Sequence, residues 1–146
     1  MIRILLILTF VSFVAFTASS TAPGAEATFP GSNGKITFWT EDSGNGEIVT
    51  MNSDGSGRTI LAADPAWDIL PRWSPDGQRI AFASRRGGGN YDVWVMNADG
   101  SGLVQLTVDP AHDVGPAWSP DGTQIAFASA RSGEGDVYVM NADGAN

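Results

Sequence analysis

The stretch Trp73-Ser74-Pro75-Asp76-Gly77 returns 45 residues later as Trp118-Ser119-Pro120-Asp121-Gly122. A chain that writes one turn twice at such an interval is built from structural repeats, and a repeat limits the fold before any other feature does. The register continues on both sides. Pro71-Arg72 precedes the first copy as Pro116-Ala117 precedes the second, and Ile80-Ala81-Phe82-Ala83-Ser84 falls on Ile125-Ala126-Phe127-Ala128-Ser129. The run from Asp92 to Gly100 then falls on Asp136 to Gly144, at an offset of 44 because the intervening loop is one residue shorter. Upstream, Ile36-Thr37-Phe38-Trp39 matches Ile80 to Ala83, and Glu47 to Gly55 matches Asp92 to Gly100. This earliest copy carries Pro30-Gly31-Ser32-Asn33-Gly34 in place of the WSPDG turn.

Each unit reads as strands. Arg79 to Ala83 alternates Ile80 and Phe82 with small alanines, which let a second sheet approach closely on the other face. Tyr91 to Met96 is rich in aromatic and β-branched residues, and Leu103 to Thr107 alternates. A helical reading of the units fails because no window of 12 residues within them escapes glycine, proline or a turn cluster. In Ser-Pro-Asp-Gly, proline presets φ at the second turn position, aspartate tolerates the third and glycine takes the position at positive φ. The expected unit is four antiparallel strands at roughly 71–74, 79–84, 91–97 and 103–107. A four-stranded sheet that repeats every ~40–45 residues is a β-propeller blade, since one such sheet cannot bury both of its apolar faces alone. The expected fold is therefore all-β: a partial β-propeller of about two and a half four-stranded antiparallel blades, with units near 28–70, 71–115 and 116–146.

These motifs, in the order P-x-W-S-P-D-G, I-A-F-A-S and D-V-[YW]-V-M-N-A-D-G, resemble the WD-like repeat of TolB-type β-propeller proteins. The resemblance covers Gly34 to Gly144. It implies a propeller, commonly of six or more blades, that serves as an exported or periplasmic scaffold. Related repeats also occur in propeller domains attached to peptidases. No counterpart is expected here of the α/β domain that precedes the propeller in TolB.

The start of the chain has a different character. Arg3 precedes an apolar run from Ile4 to Phe16, and small residues then lead to Ala25-Glu26-Ala27. A basic start, a short apolar core and an A-x-A site read as a secretory signal peptide over residues 1–27. The run of 13 residues is short of the ~20 that span a bilayer, so no stable membrane insertion is expected after cleavage. The propeller repeats would occupy residues 28–146 of a secreted or periplasmic protein. The chain has no cysteine, so nothing depends on disulfides. A net charge of −8 argues against nucleic acid, whose binding needs clustered Lys and Arg, and Arg85-Arg86 starts no longer basic run.

Candidate chemistry is sparse. No nucleophile elbow, HExxH zinc motif or Walker loop is present, and the one histidine, His112, stands where the previous copy has Trp67. A position that exchanges His for Trp reads as packing or surface, not as a general base. Asn52-x-Asp54-x-Ser56-Gly57 and Asn97-x-Asp99-x-Ser101-Gly102 imitate the opening of a calcium loop, but their twelfth positions are Ala63 and Val108 where a bidentate Glu is needed. They read as hairpin turns, and no metal or other cofactor is implied. Asp68 and Asp113 each lie three residues before the Pro that opens the innermost strand, near one mouth of the channel of a closed ring. Repeated acids there could bind a cation or a basic partner at the channel rim, or could bond to nearby backbone N–H groups as turn formers.

Two function classes stay open: a non-enzymatic scaffold for a protein partner, and the N-terminal propeller of a larger secreted peptidase or hydrolase with its catalytic domain elsewhere. A carbohydrate-binding role would use Trp39 or Trp67, which are explained more simply by packing. About two and a half blades fall short of the ~4–8 that close a ring, so a fragment of a longer propeller is expected, with self-association through open edges.

Overall fold

In the computed structural model, which describes residues 34–145, every regular element is a strand. They are β1 (Ile36–Thr40), β2 (Glu47–Met51), β3 (Thr59–Ile60), β4 (Asp68–Trp73), β5 (Arg79–Ser84), β6 (Asp92–Asn97), β7 (Val104–Gln105), β8 (Asp113–Trp118), β9 (Gln124–Ser129) and β10 (Asp136–Asn141). They form three antiparallel sheets, β1-β2-β3, β4-β5-β6-β7 and β8-β9-β10, in chain order. Each sheet is one sequence unit. The middle sheet is a full four-stranded blade. Among the described residues the first lacks the innermost strand and the last lacks the outermost, in agreement with the expected partial propeller. The segment 1–27, expected to be a cleaved signal peptide, lies outside the described residues.

The repeated turns work as expected and one step further. Gly77 and Gly122 have φ of 67° and 70°, a region that L side chains resist. The Gly77 N–H closes the turn on the Ser74 carbonyl at 2.9 Å. Asp76 adds two bonds, accepting from the Ser74 hydroxyl at 2.6 Å and from the Gln78 N–H at 3.0 Å. Asp121 repeats this toward Ser119 and Thr123.

Two strand limits differ from expectation. The innermost strand starts at Asp68, not near Pro71, because a bulge between Ile69 and Arg72 passes the proline without breaking the pairing. The bulge needs one residue in the left-handed region. In β8 that residue is Gly115 (φ 64°), and in β4 it is Leu70 (φ 57°). The outermost strand shrinks from 103–107 to Val104–Gln105 because Leu106 and Thr107 both turn their N–H groups onto the Val93 carbonyl. The Thr107 hydroxyl then accepts the Val93 N–H at 2.9 Å, in place of a ladder partner.

The core lies between the sheets. Ile48 and Ala62 of the first blade pack on Ile80, Phe82 and Met96 of the second. One junction further, Ala81, Val93 and Val95 pack on Ile125, Phe127 and Met140. The alternation seen in the sequence is thus a strand apolar on both faces: Ile80 and Phe82 look back to the previous blade and Ala81 looks forward to the next, all fully buried. Burial at ~25 cal/mol per Å² of apolar surface makes these junctions the main source of stability.

Candidate functional site

The strand order gives the molecule two unlike ends. One end carries the turns 74–78 and 119–123 with the turns after β2, β6 and β10. The other carries the loops 41–46, 85–91 and 130–135, together with the crossings between blades at 61–67 and 106–112. Asp68 and Asp113 open β4 and β8 at this second end.

Both aspartates are fully covered, and each faces a guanidinium of its own blade. Arg86, two residues past β5, bonds to Asp68, and its Nε donates to the Ser84 hydroxyl at 2.9 Å. Arg131 repeats this, 2.9 Å from Asp113 and 2.9 Å from the Ser129 hydroxyl. The arginine planes lie over aromatic rings, Arg86 over Phe82 and Trp94 and Arg131 over Phe127 and Tyr138. Burial pushes the Asp68 carboxyl above its ordinary range, against the Ser84 hydroxyl and the Arg86 charge, which favour ionisation. Oδ1 of Asp68 and of Asp113 is buried with no hydrogen-bond partner among the described residues. Local turn formation belongs to other acids, Asp64 and Asp109, whose Oδ1 atoms accept from Ala66 N at 2.8 Å and Ala111 N at 2.9 Å.

The same end laces the blades together. Asn45 Nδ2 donates to the carbonyls of Asp64 (2.6 Å) and Ala66 (3.0 Å), in the crossing that leads to the next blade. Asn90 does the same to Asp109 (2.9 Å) and Ala111 (2.8 Å). Asp92 opens β6 nearby; burial first, and then the charge of Asp113 across the junction, raise its carboxyl's affinity for a proton. His112 is part of this lacing: its Nδ1 accepts the Tyr91 N–H at 3.0 Å, and the two rings sit 5.7 Å apart. In the previous copy the partners change size together. Trp67 stands for His112 and Gly46 for Tyr91, and a Cβ built on Gly46 would lie 2.9 Å from the Asp68 carbonyl oxygen and 3.2 Å from the Trp67 ring.

The calcium-like loops saturate themselves. Asn97 Nδ2 donates to the Ser101 hydroxyl at 3.0 Å, and Asp99 Oδ1 accepts from that hydroxyl at 2.6 Å and from the Ser101 N–H at 2.9 Å. Asn52, Asp54 and Ser56 repeat the pattern.

Sequence reasoning missed Asn45, Asn90, Arg86 and Arg131. The arginines carried a signal, since both stand two residues after the serine that ends the I-A-F-A-S run. The first unit breaks the pattern: Asp42 occupies the place of Arg86 and pairs with the exposed Arg58, which together with Thr40 holds its carboxyl below the usual range. The loop end therefore differs from blade to blade, with Glu41-Asp42 in the first, Arg85-Arg86 in the second, and Arg131 with Glu134 in the third.

The chain is similar to several known proteins. A solved structure of a TolB-type protein from Agrobacterium tumefaciens is 28% identical, with a TM-score of 0.71 over 77% of this chain and 43% of that one. TolB from Acinetobacter baumannii is 23% identical over 75% of this chain and 27% of its own, and at a TM-score of 0.65 it shares the fold. Dipeptidyl-peptidase 5 of Porphyromonas gingivalis is 45% identical over 42 residues, 29% of this chain and 6% of that protein. The chain thus spans less than half the length of each of these relatives. The family profile described as the TolB beta propeller domain matches residues 16–146. With blades, turns and blade junctions of one repeated design, the chain belongs to the TolB β-propeller domain family.

Proposed function

We propose that the protein is an exported, non-enzymatic propeller scaffold whose loop end binds a protein partner. The contrast between the two ends carries this reading. At the turn end the units are nearly identical, WSPDG twice and Asn-x-Asp-Gly three times. At the loop end they diverge in charge and length on a scaffold that is held fixed, which is how surfaces of one repeat design acquire a specific partner. Asp68 and Asp113 serve this rim by fixing Arg86 and Arg131, and His112 serves it by tying two loops together. An end that is acidic in one blade and basic in the next suits an asymmetric protein surface better than a small symmetric ligand. The signal-like segment 1–27 and the likeness to TolB-type proteins support export; material recovered from outside the cytoplasm should begin at or near Thr28.

The test is site-specific photo-cross-linking in the native host from Arg85 and Glu134 at the loop end, with Asp54 and Asp99 at the turn end as controls. All four residues are exposed. A discrete protein adduct from the loop positions alone is expected. Equal labelling from both ends, or none, overturns the proposal. The match to dipeptidyl-peptidase 5 favours a second reading, in which these blades are the propeller of a larger secreted hydrolase. Sequencing the gene beyond the codon for Asn146 separates the two, since the hydrolase reading requires a nucleophile-bearing domain there.

A further inference from the structure

The two asparagines that lace the blades make the same bonds in unlike surroundings. Asn45 and Asn90 each donate from Nδ2 to two carbonyls of the crossing that follows. Asn45 Oδ1 also accepts the Ser43 hydroxyl, at 2.8 Å. Two residues before Asn90 stands Gly88, which has no hydroxyl to offer. The residue that follows differs as well. After Asn45 comes Gly46, whose N–H donates no bond in the turns and crossings of the described residues. After Asn90 comes Tyr91, whose N–H is held by His112 Nδ1 at 3.0 Å. Gly46 is fixed as glycine by packing, because a Cβ there would lie 2.9 Å from the Asp68 carbonyl oxygen. Asn45 itself is half-buried, and the exposed residues Glu41 to Gly44 leave it open to water on one side.

We propose that Asn45 is a site of spontaneous deamidation that unlaces the first blade junction, and that Asn90 is protected from the same reaction. Hydroxide removes the Gly46 amide proton, and the nitrogen attacks Cγ of Asn45. The new N–Cγ bond pushes the carbonyl electron pair onto Oδ1; its return breaks the Cγ–Nδ2 bond, and Nδ2 leaves as ammonia after taking a proton from water, which restores the hydroxide. Water then opens the five-membered imide at either carbonyl, to give aspartate or isoaspartate. The sum is amide plus water to acid plus ammonia. The Ser43 hydroxyl stabilises the charge that grows on Oδ1. The Gly46 nitrogen has no acceptor to leave and no side chain to shield it. At Asn90 no hydroxyl assists, and the Tyr91 N–H must first abandon His112. At about fivefold for each hydrogen bond, these differences make Asn45 roughly 25-fold faster than Asn90. The product reverses the tie. A carboxylate has no N–H to donate, so it meets the Asp64 and Ala66 carbonyls, which Nδ2 holds at 2.6 and 3.0 Å, as acceptor against acceptor. The crossing 61–67 is then released from the loop 41–46, while the second junction keeps its own bonds.

Peptide mass mapping of the purified full chain, aged at mildly alkaline pH, tests the site. The peptide that holds Asn45 is expected to gain the mass of an amide-to-acid change and to separate into aspartate and isoaspartate forms, roughly 25-fold faster than the peptide that holds Asn90. Ser43→Ala should slow this about fivefold in the folded protein and leave it unchanged in denaturant. Equal rates at Asn45 and Asn90 overturn the site, and so does a Ser43→Ala effect that is absent from the folded protein or persists in denaturant. Hydrogen exchange tests the consequence. Asn45→Asp should raise exchange over residues 61–67 roughly 25-fold, for two lost hydrogen bonds, and leave residues 106–112 unchanged. Aged wild-type chain, separated from unreacted chain by its extra charge, gives the same comparison should Asn45→Asp fail to fold. Unchanged exchange over 61–67 overturns the unlacing.

Discussion

Arg86→Ala should be among the most damaging single substitutions outside the apolar core. The Asp68 side chain is 0% exposed and that of Arg86 only 11%, so truncation leaves a carboxylate buried with neither solvent nor counter-charge. Its Oδ1 already lacks a partner, and the Ser84 hydroxyl would be the remaining group that favours ionisation. Removing one partner of a buried pair costs about 3–5 kcal/mol, and the lost stacking over Phe82 and Trp94 adds about 0.5–1 kcal/mol. Against a total stability of ~5–15 kcal/mol, that is a fall in melting temperature on the order of 15 °C. Arg131→Ala should cost less, about half as much, because its side chain is 27% exposed and water can replace it more easily. Exchanging both members, Asp68→Asn with Arg86→Met, should recover most of the loss, since no charge is then left buried. The effect has a pH signature. The folded pKa of Asp68 lies above its unfolded value, so the folded form binds more protons, and stability falls as pH rises through the folded value. Without Arg86 the folded value rises further, so the deficit of Arg86→Ala should shrink on acidification from neutral pH. Denaturant unfolding of wild type, both single variants and the double variant, at neutral and mildly acidic pH, measures all of this. A cost below about 1 kcal/mol for Arg86→Ala, or a deficit independent of pH, would refute the reasoning.

Three further outcomes are expected. Gly77→Val and Gly122→Val should each cost on the order of 1 kcal/mol or more by forcing a β-branched residue to φ of 67° and 70°, and unchanged denaturation midpoints would show that the turn tolerates the strain. The Ser119 hydroxyl, with help from Thr123, holds the exposed Asp121 carboxyl down to about 2, so stability that it contributes is present above the ordinary carboxylate value and lost as pH falls through about 2; an NMR titration midpoint near 3.8 would contradict this. His112→Trp should destabilise the chain by about 1–3 kcal/mol through overpacking against Tyr91, and adding Tyr91→Gly should return part of it, because Trp67 opposite Gly46 is that combination; additive losses in a double-mutant cycle would dismiss the pairing.

What could be read from the chain in advance was the local chemistry. The WSPDG turn, the glycine at positive φ and the Asn-x-Asp-Gly hairpin each depend on a few adjacent residues, so the blade order, and with it the propeller, followed from spacing. The start of β4 did not, because Leu70 gives no hint that it holds a left-handed conformation; only the glycine at the matching position in β8 points to it. The role of Asp68 and Asp113 was hidden for another reason. Their partners Arg86 and Arg131 are 18 residues away along the chain and meet them only once the β4-β5 and β8-β9 hairpins form. Asn45 and Asn90 are harder still, since their acceptors lie in the crossing to the following blade and exist only after two units have docked.

The matched sizes of Gly46 with Trp67 and of Tyr91 with His112 bear on how such a molecule can be lengthened. Each pair straddles two sheets: Tyr91 precedes β6 of the second blade, while His112 precedes β8 of the third. A sheet excised whole, from Asp68 to Thr107, would leave its own half of one fit behind and meet a stranger's half of another. A segment cut within the identical turns, from Ser74 to Trp118, carries Tyr91 and His112 together and offers the same five-residue splice at each end. The module that can be copied, inserted or deleted without mismatch is therefore out of phase with the module that folds. Duplication at the DNA level would be tolerated when its breakpoints fall in the WSPDG turns and selected against when they fall in the crossings between sheets.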